Sequence, residues 1–219
     1  MEIEKLKGQL HPKLYNILSQ EITELRPAQT KSVESGLLKG NSLLVCTPTA
    51  SGKTLIAEMA MLNNIYNHGG KAIYIVPLKA LATEKFRHFS NKYKDLKTAM
   101  SIGDVDSKEQ YLANYDIIIT TSEKLDSLIR HHTPWIKHLN TVVVDEIHLL
   151  NDPGRGPTLE ILITLLKSML KNVQLIGLSA TIGNSEELAG WLESKLVVDK
   201  WRPVELRKGV MFENMIEFY

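Results

Sequence analysis

Cysteine, aromatic side chains and unbalanced charge are all scarce in this sequence of 219 residues. Its single cysteine, Cys46, excludes an internal disulfide framework and fits a reducing, cytoplasmic compartment. Because Cys46 lies in a predicted strand, we interpret it as a small buried apolar residue. The 26 lysines and arginines nearly cancel the 25 aspartates and glutamates, so any nucleic-acid binding must be confined to one face or a few loops.

Long apolar runs, repeats and low-complexity tracts are missing as well. No run approaches the roughly 18 residues of a membrane span. The charged N-terminus, residues 1–5, lacks the apolar core of a signal peptide. We therefore expect no membrane partner. Hydrophobic residues still make up 43% of the chain, which is enough for a sizeable core in a single α/β domain.

Seven short apolar runs indicate β strands. They cover residues 42–46, 72–76, 98–102, 116–120, 141–145, 173–179 and, more weakly, 196–198. The runs do not alternate with polar residues, and helical patterns separate them, which is typical of a mainly parallel sheet with helices on both faces. In such sheets, ligands bind beyond the carboxyl ends of the strands. After the fourth run, a helix is predicted to begin near Ser122, with the Ser122 hydroxyl as its N-cap.

The segment after the first predicted strand carries the clearest motif. Its residues are Thr47, Pro48, Thr49, Ala50, Ser51, Gly52, Lys53 and Thr54. A tight loop between a strand and a helix is the setting of a phosphate-binding loop, whose backbone N–H groups and helix dipole attract phosphate oxygens. In that interpretation, Lys53 contacts the terminal phosphates of a nucleotide and the Thr54 hydroxyl ligates Mg²⁺. Thr47 stands where the general pattern has glycine, but the Gly52-Lys53-Thr54 run is intact.

Two acidic residues close the fifth predicted strand. Asp145 is placed to hold Mg²⁺ through its water shell, and Glu146 to orient or deprotonate an attacking water. Alone, the pair could equally be a solvated strand end, but beside the loop at residues 47–54 the catalytic interpretation is favoured. Gln29 is a candidate for reading the base, since a carboxamide can pair with adenine N6 and N7. The residues alone favour the simpler alternative, an exposed glutamine at a helix start.

Two weaker patterns resemble other active sites. Residues 177–181 approximate the Gly-x-Ser-x-Gly elbow of serine hydrolases, but the last glycine is missing. The neighbours His131 and His132 would face different directions on a helix, and no Cys/His spacing indicates zinc. His148, three residues after Asp145, is a better candidate for a role in the nucleotide site.

Six segments occur in the same order as the motifs of superfamily-two helicases. They are residues 26–29, 47–54, 77–81, 121–124, 145–148 and 179–181. The Asp-Glu-x-His form of the fifth segment, followed by residues 155–160, resembles the Ski-like branch. Within that branch the chain is similar to the archaeal Hjm-type DNA helicases, relatives of the helicase domain of DNA polymerase theta. The resemblance implies a RecA-like fold, the cofactors ATP and Mg²⁺, and a role in DNA repair or replication-fork processing.

The resemblance also implies roles that spacing alone does not give. Arg26 and Gln29 would contact the nucleotide, with Gln29 as the residue that reads adenine. The sugar-phosphate backbone of a tracked strand would be gripped by Pro77, Lys79, Thr121, Ser122 and Lys124. Coupling of hydrolysis to domain movement would depend on His148, Ser179, Ala180 and Thr181. Backbone contacts of this kind bind irrespective of base sequence.

Helicases of this kind have two RecA-like domains, and the second supplies arginine fingers. Nothing after Thr181 resembles its Gln-x-x-Gly-Arg-x-x-Arg motif. We therefore expect a helical lead-in at residues 1–24, a first RecA-like domain at 25–200 and an exit segment at 201–219. The chain would be a fragment whose partners are the C-terminal helicase domains and single-stranded or branched DNA. It should bind Mg–ATP, hydrolyse it very slowly and not unwind duplex alone.

Two other functions stay open at the level of sequence. An RNA helicase of the same branch would use the same ATPase domain on an RNA strand, since motifs that contact the sugar-phosphate backbone do not read the bases. A module that only senses nucleotide is a second alternative. The presence of Lys53, Thr54, Asp145 and Glu146 disfavours it, because a degenerate site should have lost one of them. A transporter-type ATPase is disfavoured because no Leu-Ser-Gly-Gly-Gln segment occurs.

Overall fold

The computed structural model describes residues 1–103, 109–205, 207–213 and 215–218. The α helices of these ranges are α1 (Pro12–Glu21), α2 (Pro27–Glu34), α3 (Lys53–His68), α4 (Lys79–Lys92), α5 (Ser122–Arg130), α6 (Gly156–Met169) and α7 (Ser185–Trp191). The strands are β1 (Leu43–Cys46), β2 (Lys71–Val76), β3 (Thr98–Ser101), β4 (Ile117–Thr121), β5 (Leu139–Val144), β6 (Gln174–Ser179), β7 (Lys195–Val198), β8 (Gly209–Phe212) and β9 (Met215–Phe218). None of these helices combines the length and hydropathy needed to cross a bilayer.

Strands β1 to β7 form one sheet in the order β3-β4-β2-β5-β6-β1-β7, and every pairing in it is parallel. The predicted α/β class and all seven predicted strands are confirmed. The observed strand ends differ from the predicted ends by at most two residues. Most residues of β1, β2, β4, β5 and β6 are buried, which explains why their sequences are continuous apolar runs and not alternating ones.

Alternate side chains of each strand enter one of two hydrophobic layers. On β2, for example, Tyr74 and Val76 pack in the layer formed with helices α1 to α4, while Ile73 and Ile75 pack in the layer formed with α5 to α7. Helix α3 is the most deeply buried helix: nine of its residues are buried, and most of them pack in the first layer. The loop that precedes α3 is therefore held on a rigid base.

The N-terminal segment packs directly against this first layer. It contains a short 3₁₀ helix, Ile3–Leu6, followed by α1. Leu6, Leu14 and Leu18 are fully buried in the same cluster as the side chains of α3. Helix α1 thus turns buried leucines into this layer, while the division of the chain into units at residues 24 and 200 stays a prediction.

Helix α5 begins one residue away from the predicted cap. The N-cap is Thr121, whose Oγ1 accepts a hydrogen bond from the backbone N–H of Lys124 at 3.5 Å. The prediction that the Ser122 hydroxyl caps this helix is wrong, because Ser122 is already its first helical residue. The physical reason is that β4 runs on to Thr121, so the turn from extended to helical backbone falls at that residue.

The predicted exit segment contains an antiparallel hairpin of β8 and β9, which sequence reasoning did not anticipate. Both strands are exposed along their whole length. Positions 206, 214 and 219 of the exit segment lie outside the described residues.

A buried carboxylate, Glu58, joins helices α1, α3 and α4. His88 Nε2 lies 2.7 Å from its Oε1, and Lys92 Nζ lies 3.0 Å from its Oε2. The Tyr93 hydroxyl also donates to Oε2, and Lys92 extends the network to Glu21 at 2.6 Å. Burial would raise the pKa of Glu58, but hydrogen bonds and the charge of Lys92 outweigh it and lower that pKa below 4.5. The ionised form is therefore the one that the fold stabilises.

We predict that Glu58→Gln lowers the free energy of unfolding at pH 7 by about 1 to 3 kcal/mol, because the neutral amide loses charge-assisted hydrogen bonds. Since the folded-state pKa of Glu58 is lowered, the stability it contributes is present above pH 4.5 and is lost as the pH falls further. Denaturant unfolding between pH 7 and pH 3.5 should thus show a shallower acid loss in the variant. Glu160→Gln, an exposed change, should follow the wild type. Identical acid profiles for Glu58→Gln and wild type would contradict the role given to this carboxylate.

Candidate active site

The sheet brings five predicted motif segments to one edge. They follow or end β4, β2, β5, β6 and β1, which are adjacent in the sheet. Because all these strands are parallel, their carboxyl ends lie side by side. Segments that are more than 120 residues apart in the sequence are thereby placed around one cleft edge, as expected for a ligand site in this architecture.

The loop at residues 47–54 closes around the side chain of Lys53. Its Nζ donates to the carbonyl oxygens of Thr47 at 3.0 Å and of Pro48 at 3.4 Å. Burial lowers the pKa of Lys53, while the negative charges of Glu146 and Asp145 act in the opposite direction. Both carboxylates are therefore within electrostatic reach of this ammonium group.

Thr47 fits the position where the general motif has glycine. Its side chain is fully buried, and its Oγ1 forms a hydrogen bond with Ser51 Oγ at 2.7 Å. Its backbone N–H donates to the Ser179 carbonyl at 3.2 Å, which ties the loop to the end of β6. The left-handed backbone of the loop falls instead at Ala50, with φ 64°, and at Gly52, with φ 91°. A side chain at position 47 therefore meets no conformational obstacle.

Arg26 and Gln29 clamp the loop from outside. Arg26 Nη1 donates to the carbonyl of Ala50 at 2.6 Å, and Gln29 Nε2 donates to the carbonyl of Gly52 at 3.0 Å. Gln29 Oε1 accepts from the backbone N–H of Arg26 at 2.8 Å, so the orientation of its carboxamide is fixed. One N–H of Nε2 and one lone pair of Oε1 stay available for hydrogen bonding. Bidentate pairing with adenine requires one donor and one acceptor of this kind. Gln29 is only 4% exposed, so the alternative of an exposed glutamine is excluded.

Asp145 is held by a residue that sequence reasoning missed. The Tyr74 hydroxyl donates to Asp145 Oδ2 at 2.8 Å, while Asp145 Oδ1 accepts from the backbone N–H of Glu146 at 3.0 Å. Burial raises the pKa of Tyr74 well above its usual value, and the charge of Asp145 raises it further. The phenol therefore stays protonated and acts as a donor. The only available signal was a tyrosine inside the otherwise aliphatic run of β2.

His148 connects Glu146 to the segment after β6. Its Nδ1 lies 3.4 Å from Glu146 Oε2 and 3.4 Å from the backbone nitrogen of Ala180. An imidazole nitrogen accepts when unprotonated and donates when protonated, so Nδ1 can serve one of these neighbours at a time. The geometry thus brings His148, Glu146 and Ala180 together, as the predicted coupling role requires. Ser179 and Thr181 lie on either side of Ala180 in the same segment.

The oxygen donors predicted for Mg²⁺ are Thr54 Oγ1 and the Asp145 carboxylate. Within the described residues, no group of three or more histidine, cysteine, aspartate or glutamate side chains is arranged to hold a metal ion. A phosphate-loop magnesium does not need one, because one hydroxyl, one carboxylate, phosphate oxygens and water complete its shell. The chemistry of the donors present fits Mg²⁺ bound together with a nucleotide. Thr54 Oγ1 presently accepts from Lys85 Nζ at 3.1 Å.

The buried thiol of Cys46 lies beside this site without taking part in it. Burial raises the pKa of Cys46, and the nearby Ser179 side chain and the charge of Lys53 oppose that rise. The raised value means that the thiol is protonated, which agrees with the interpretation of Cys46 as a small apolar residue. Ser179 itself is fully buried, which disfavours a role as an exposed nucleophile.

The model of the DEAD/DEAH box helicase family matches residues 26–188 of the chain. The chain belongs to this family. It is similar to the ATP-dependent DNA helicase Hel308 of Methanococcus vannielii, with 56% identity over 212 residues covering 93% of this chain and 28% of that protein. The corresponding helicase of Pyrococcus horikoshii is 51% identical over 218 residues, covering 99% of this chain and 30% of that protein. The chain thus spans less than a third of these relatives.

A solved structure of the DUF1998 helicase MrfA bound to DNA and AMPPNP has the same fold. The TM-score is 0.74 with 27% identity, and the match covers 87% of this chain and 29% of that one. The predicted RecA-like helicase fold and the resemblance to archaeal superfamily-two DNA helicases are confirmed. Membership of this helicase family implies nucleotide use, in agreement with the geometry around Lys53 and Asp145.

The residues predicted to contact DNA differ in solvent exposure in this helicase domain. Lys79, the first residue of α4, is exposed, and Pro77 before it is half-buried. Thr121 and Ser122 are buried at the start of α5. Their contacts with DNA stay a prediction, and Lys79 is the one charged group of the set at the surface.

Lys124, the remaining predicted DNA contact, is an internal ion-pair residue in this structure. It is 2% exposed, and its Nζ lies 3.1 Å from Glu109 Oε1. Sequence reasoning could not find this pair because Glu109 lies in a segment between predicted elements. A phosphate contact by Lys124 would require the pair with Glu109 to open.

We predict that Gly52→Ala weakens both folding and nucleotide binding. An added Cβ would lie 2.4 Å from Gln29 Nε2, and φ at Gly52 is +91°, a conformation costing about 1 to 2 kcal/mol for other residues. Thermal unfolding and a fluorescent-ATP titration measure the two effects. Gly190→Ala is the matched control, because its Cβ would meet nothing within 4 Å in α7. Equal melting temperature and affinity in Gly52→Ala and Gly190→Ala would contradict the tight fit described for this loop.

Proposed function

We propose that this chain is the first RecA-like motor domain of an ATP-dependent DNA helicase that acts in DNA repair or replication-fork processing. The observation that carries the proposal is the joint placement of the phosphate loop, the Asp145-Glu146 pair and the segment at residues 179–181 on adjacent strand ends. The similarity to Hel308 proteins supports DNA as the track. A cytoplasmic location close to chromosomal DNA goes with this proposal.

The phosphate loop would bind the triphosphate through its backbone N–H groups and the N-terminus of α3. Lys53 would exchange the carbonyl oxygens of Thr47 and Pro48 for the terminal phosphates, a short movement of a flexible side chain. Thr54 and Asp145 would hold Mg²⁺, which supplies neutralising charge at the terminal phosphates. Glu146 would orient the attacking water and accept its proton. Phosphoryl transfer needs this positioning and charge stabilisation more than covalent chemistry.

The base would bind in the cleft beside Gln29. This cleft has a volume of about 420 Å³ and is lined by Arg26, Gln29 and Gly52 on one side and by Glu84 and Lys85 of α4 on the other. Its size suits a small ligand. The remaining donor and acceptor of the Gln29 carboxamide would pair with adenine N7 and N6. The residue that holds the phosphate loop would therefore also contribute to recognition of the base.

Hydrolysis by these 219 residues alone would be very slow. Arginine fingers of a second helicase domain typically contribute 10³ to 10⁵ in rate, and the sequence after Thr181 contains no matching motif. We therefore propose the C-terminal helicase domains as partners, with Mg–ATP bound between the two halves. DNA-stimulated turnover at helicase rates by these residues alone would overturn this part of the proposal.

We predict that Lys53→Ala weakens Mg–ATP binding by roughly tenfold to a hundredfold, the range expected for a charge-assisted contact. A titration with a fluorescent ATP analogue in Mg²⁺ measures it directly. Lys137→Ala, which removes an exposed lysine with no role in the site, should bind like wild type. Undiminished binding by Lys53→Ala would refute the proposed nucleotide site. In a full-length relative, loss of hydrolysis without loss of DNA function would favour a nucleotide sensor instead.

We predict that Lys79→Ala weakens binding of an oligothymidylate strand and lowers the salt slope of binding by about 0.7, the share of one phosphate contact on a single strand. Fluorescence anisotropy over a range of salt concentrations measures both. Lys94→Ala is the control, since Lys94 lies just beyond the other end of α4 and is also exposed. Competition with RNA of matched length separates the DNA track from the RNA alternative. Equal salt slopes in the two variants would remove Lys79 from the proposed interface.

A further inference from the structure

We infer that Tyr74 is a positioning residue of the metal site: its buried phenol fixes the Asp145 carboxylate in the orientation that Mg²⁺ binding requires. The inference rests on the proposed function, because it takes Asp145 and Thr54 as the protein's magnesium ligands. Tyr74 itself would contact neither metal nor nucleotide. It would act through the carboxylate oxygen that it holds.

The position of Tyr74 in the sheet brings its hydroxyl group to Asp145. Strand β2 lies between β4 and β5, and Tyr74 pairs in register with Ile119 on one side and Val143 on the other. Its side chain is fully buried. A buried hydroxyl without a partner costs about 1 to 3 kcal/mol. The partner that it finds is Asp145 Oδ2 at 2.8 Å, two residues after Val143 and just past the end of β5.

The two hydrogen bonds to Asp145 together define the plane of its carboxylate. Tyr74 donates to Oδ2, and the backbone N–H of Glu146 donates to Oδ1 at 3.0 Å. Neither donor carries a charge, so the carboxylate keeps its full negative charge for a cation. Groups that hold and orient a metal ligand in this way typically matter tenfold to a hundredfold for metal affinity.

The Tyr74 ring is in turn held by helix α4. The ring of Phe89 packs against it with centroids 5.7 Å apart, and Lys85 Nζ lies 6.0 Å from the Tyr74 ring centroid. The same Lys85 Nζ donates to Thr54 Oγ1 at 3.1 Å. Of the two proposed magnesium ligands, Asp145 therefore bonds to Tyr74 directly, and Thr54 is linked to the Tyr74 ring through Lys85. Since α4 begins at Lys79, the helix that would touch DNA also supports the metal site.

The test compares two variants that each remove a single phenol oxygen from a buried carboxylate contact. Tyr74→Phe removes the bond to Asp145, and the matched control Tyr93→Phe removes the bond to Glu58, which is not a proposed magnesium ligand. The affinity for a fluorescent ATP analogue is measured in EDTA and in Mg²⁺. We expect Tyr74→Phe to keep the affinity seen in EDTA and to lose about tenfold of the gain that Mg²⁺ confers. Tyr93→Phe should keep the whole gain, with a similar loss of melting temperature.

Two additions separate positioning from general destabilisation. In an Asp145→Asn background, Tyr74→Phe should cause no further loss of the magnesium-dependent gain, because the carboxylate it positions is absent. In wild-type protein labelled at tyrosine Cζ, the Tyr74 resonance should shift when Mg²⁺ is added to the nucleotide complex, while that of Tyr93 should not. This second measurement needs no variant to fold.

The outcomes are distinct. A wild-type magnesium-dependent gain in Tyr74→Phe, or an equal loss in Tyr93→Phe, overturns the inference and leaves the proposed function standing. A Tyr74 resonance that ignores Mg²⁺ also overturns it. If the wild type itself shows no magnesium-dependent gain in affinity, the proposed function fails and the role of Tyr74 fails with it.

Discussion

The parallel pairing of β4, β2, β5, β6 and β1 is the constraint on which everything else in this domain depends. It places five polar segments at one edge, although no two of them are neighbours in the sequence. The register matters as much as the direction, because a slip of one residue would turn every side chain to the opposite face. Tyr74 would then point into the layer of α5 to α7 and could not meet Asp145.

Each charged group of the site already has a protein partner. Lys53 lies on the carbonyl oxygens of Thr47 and Pro48, Asp145 is held by Tyr74, and Glu146 has His148 beside it. For Lys53, nucleotide binding would therefore exchange carbonyl oxygens for phosphate oxygens, whereas Tyr74 would keep its hydrogen bond to Asp145. An exchange costs little desolvation, and it leaves the site ordered in either state. The choice open to His148, between Glu146 and Ala180, is an exchange of the same kind.

The fold and most of the site follow from local sequence patterns. Continuous apolar runs predict the seven parallel strands, and their order along the chain predicts which polar segments meet. The failed predictions have two causes: contacts between residues far apart in the sequence, and the exact residue at which a strand ends. Tyr74 looks like a core residue until β5 is placed beside β2. Lys124 looks like a surface lysine until Glu109 is placed beside it, and the cap of α5 moves to Thr121 because β4 ends one residue later than predicted.

The buried pair of Lys124 and Glu109 has a consequence for how this domain can bind a polyanion. Glu109 serves Lys124 as an internal counterion. If a phosphate group replaced Glu109 as the partner of Lys124, one counterion would leave the nucleic acid. The Glu109 carboxylate would then be free and would take up a cation from solution, so the net release of ions would be close to zero. Such a contact would add positional specificity with almost no salt dependence. In a near-neutral domain, exposed lysines such as Lys79 would then attract a strand, and a buried lysine such as Lys124 would contact it only in one defined position.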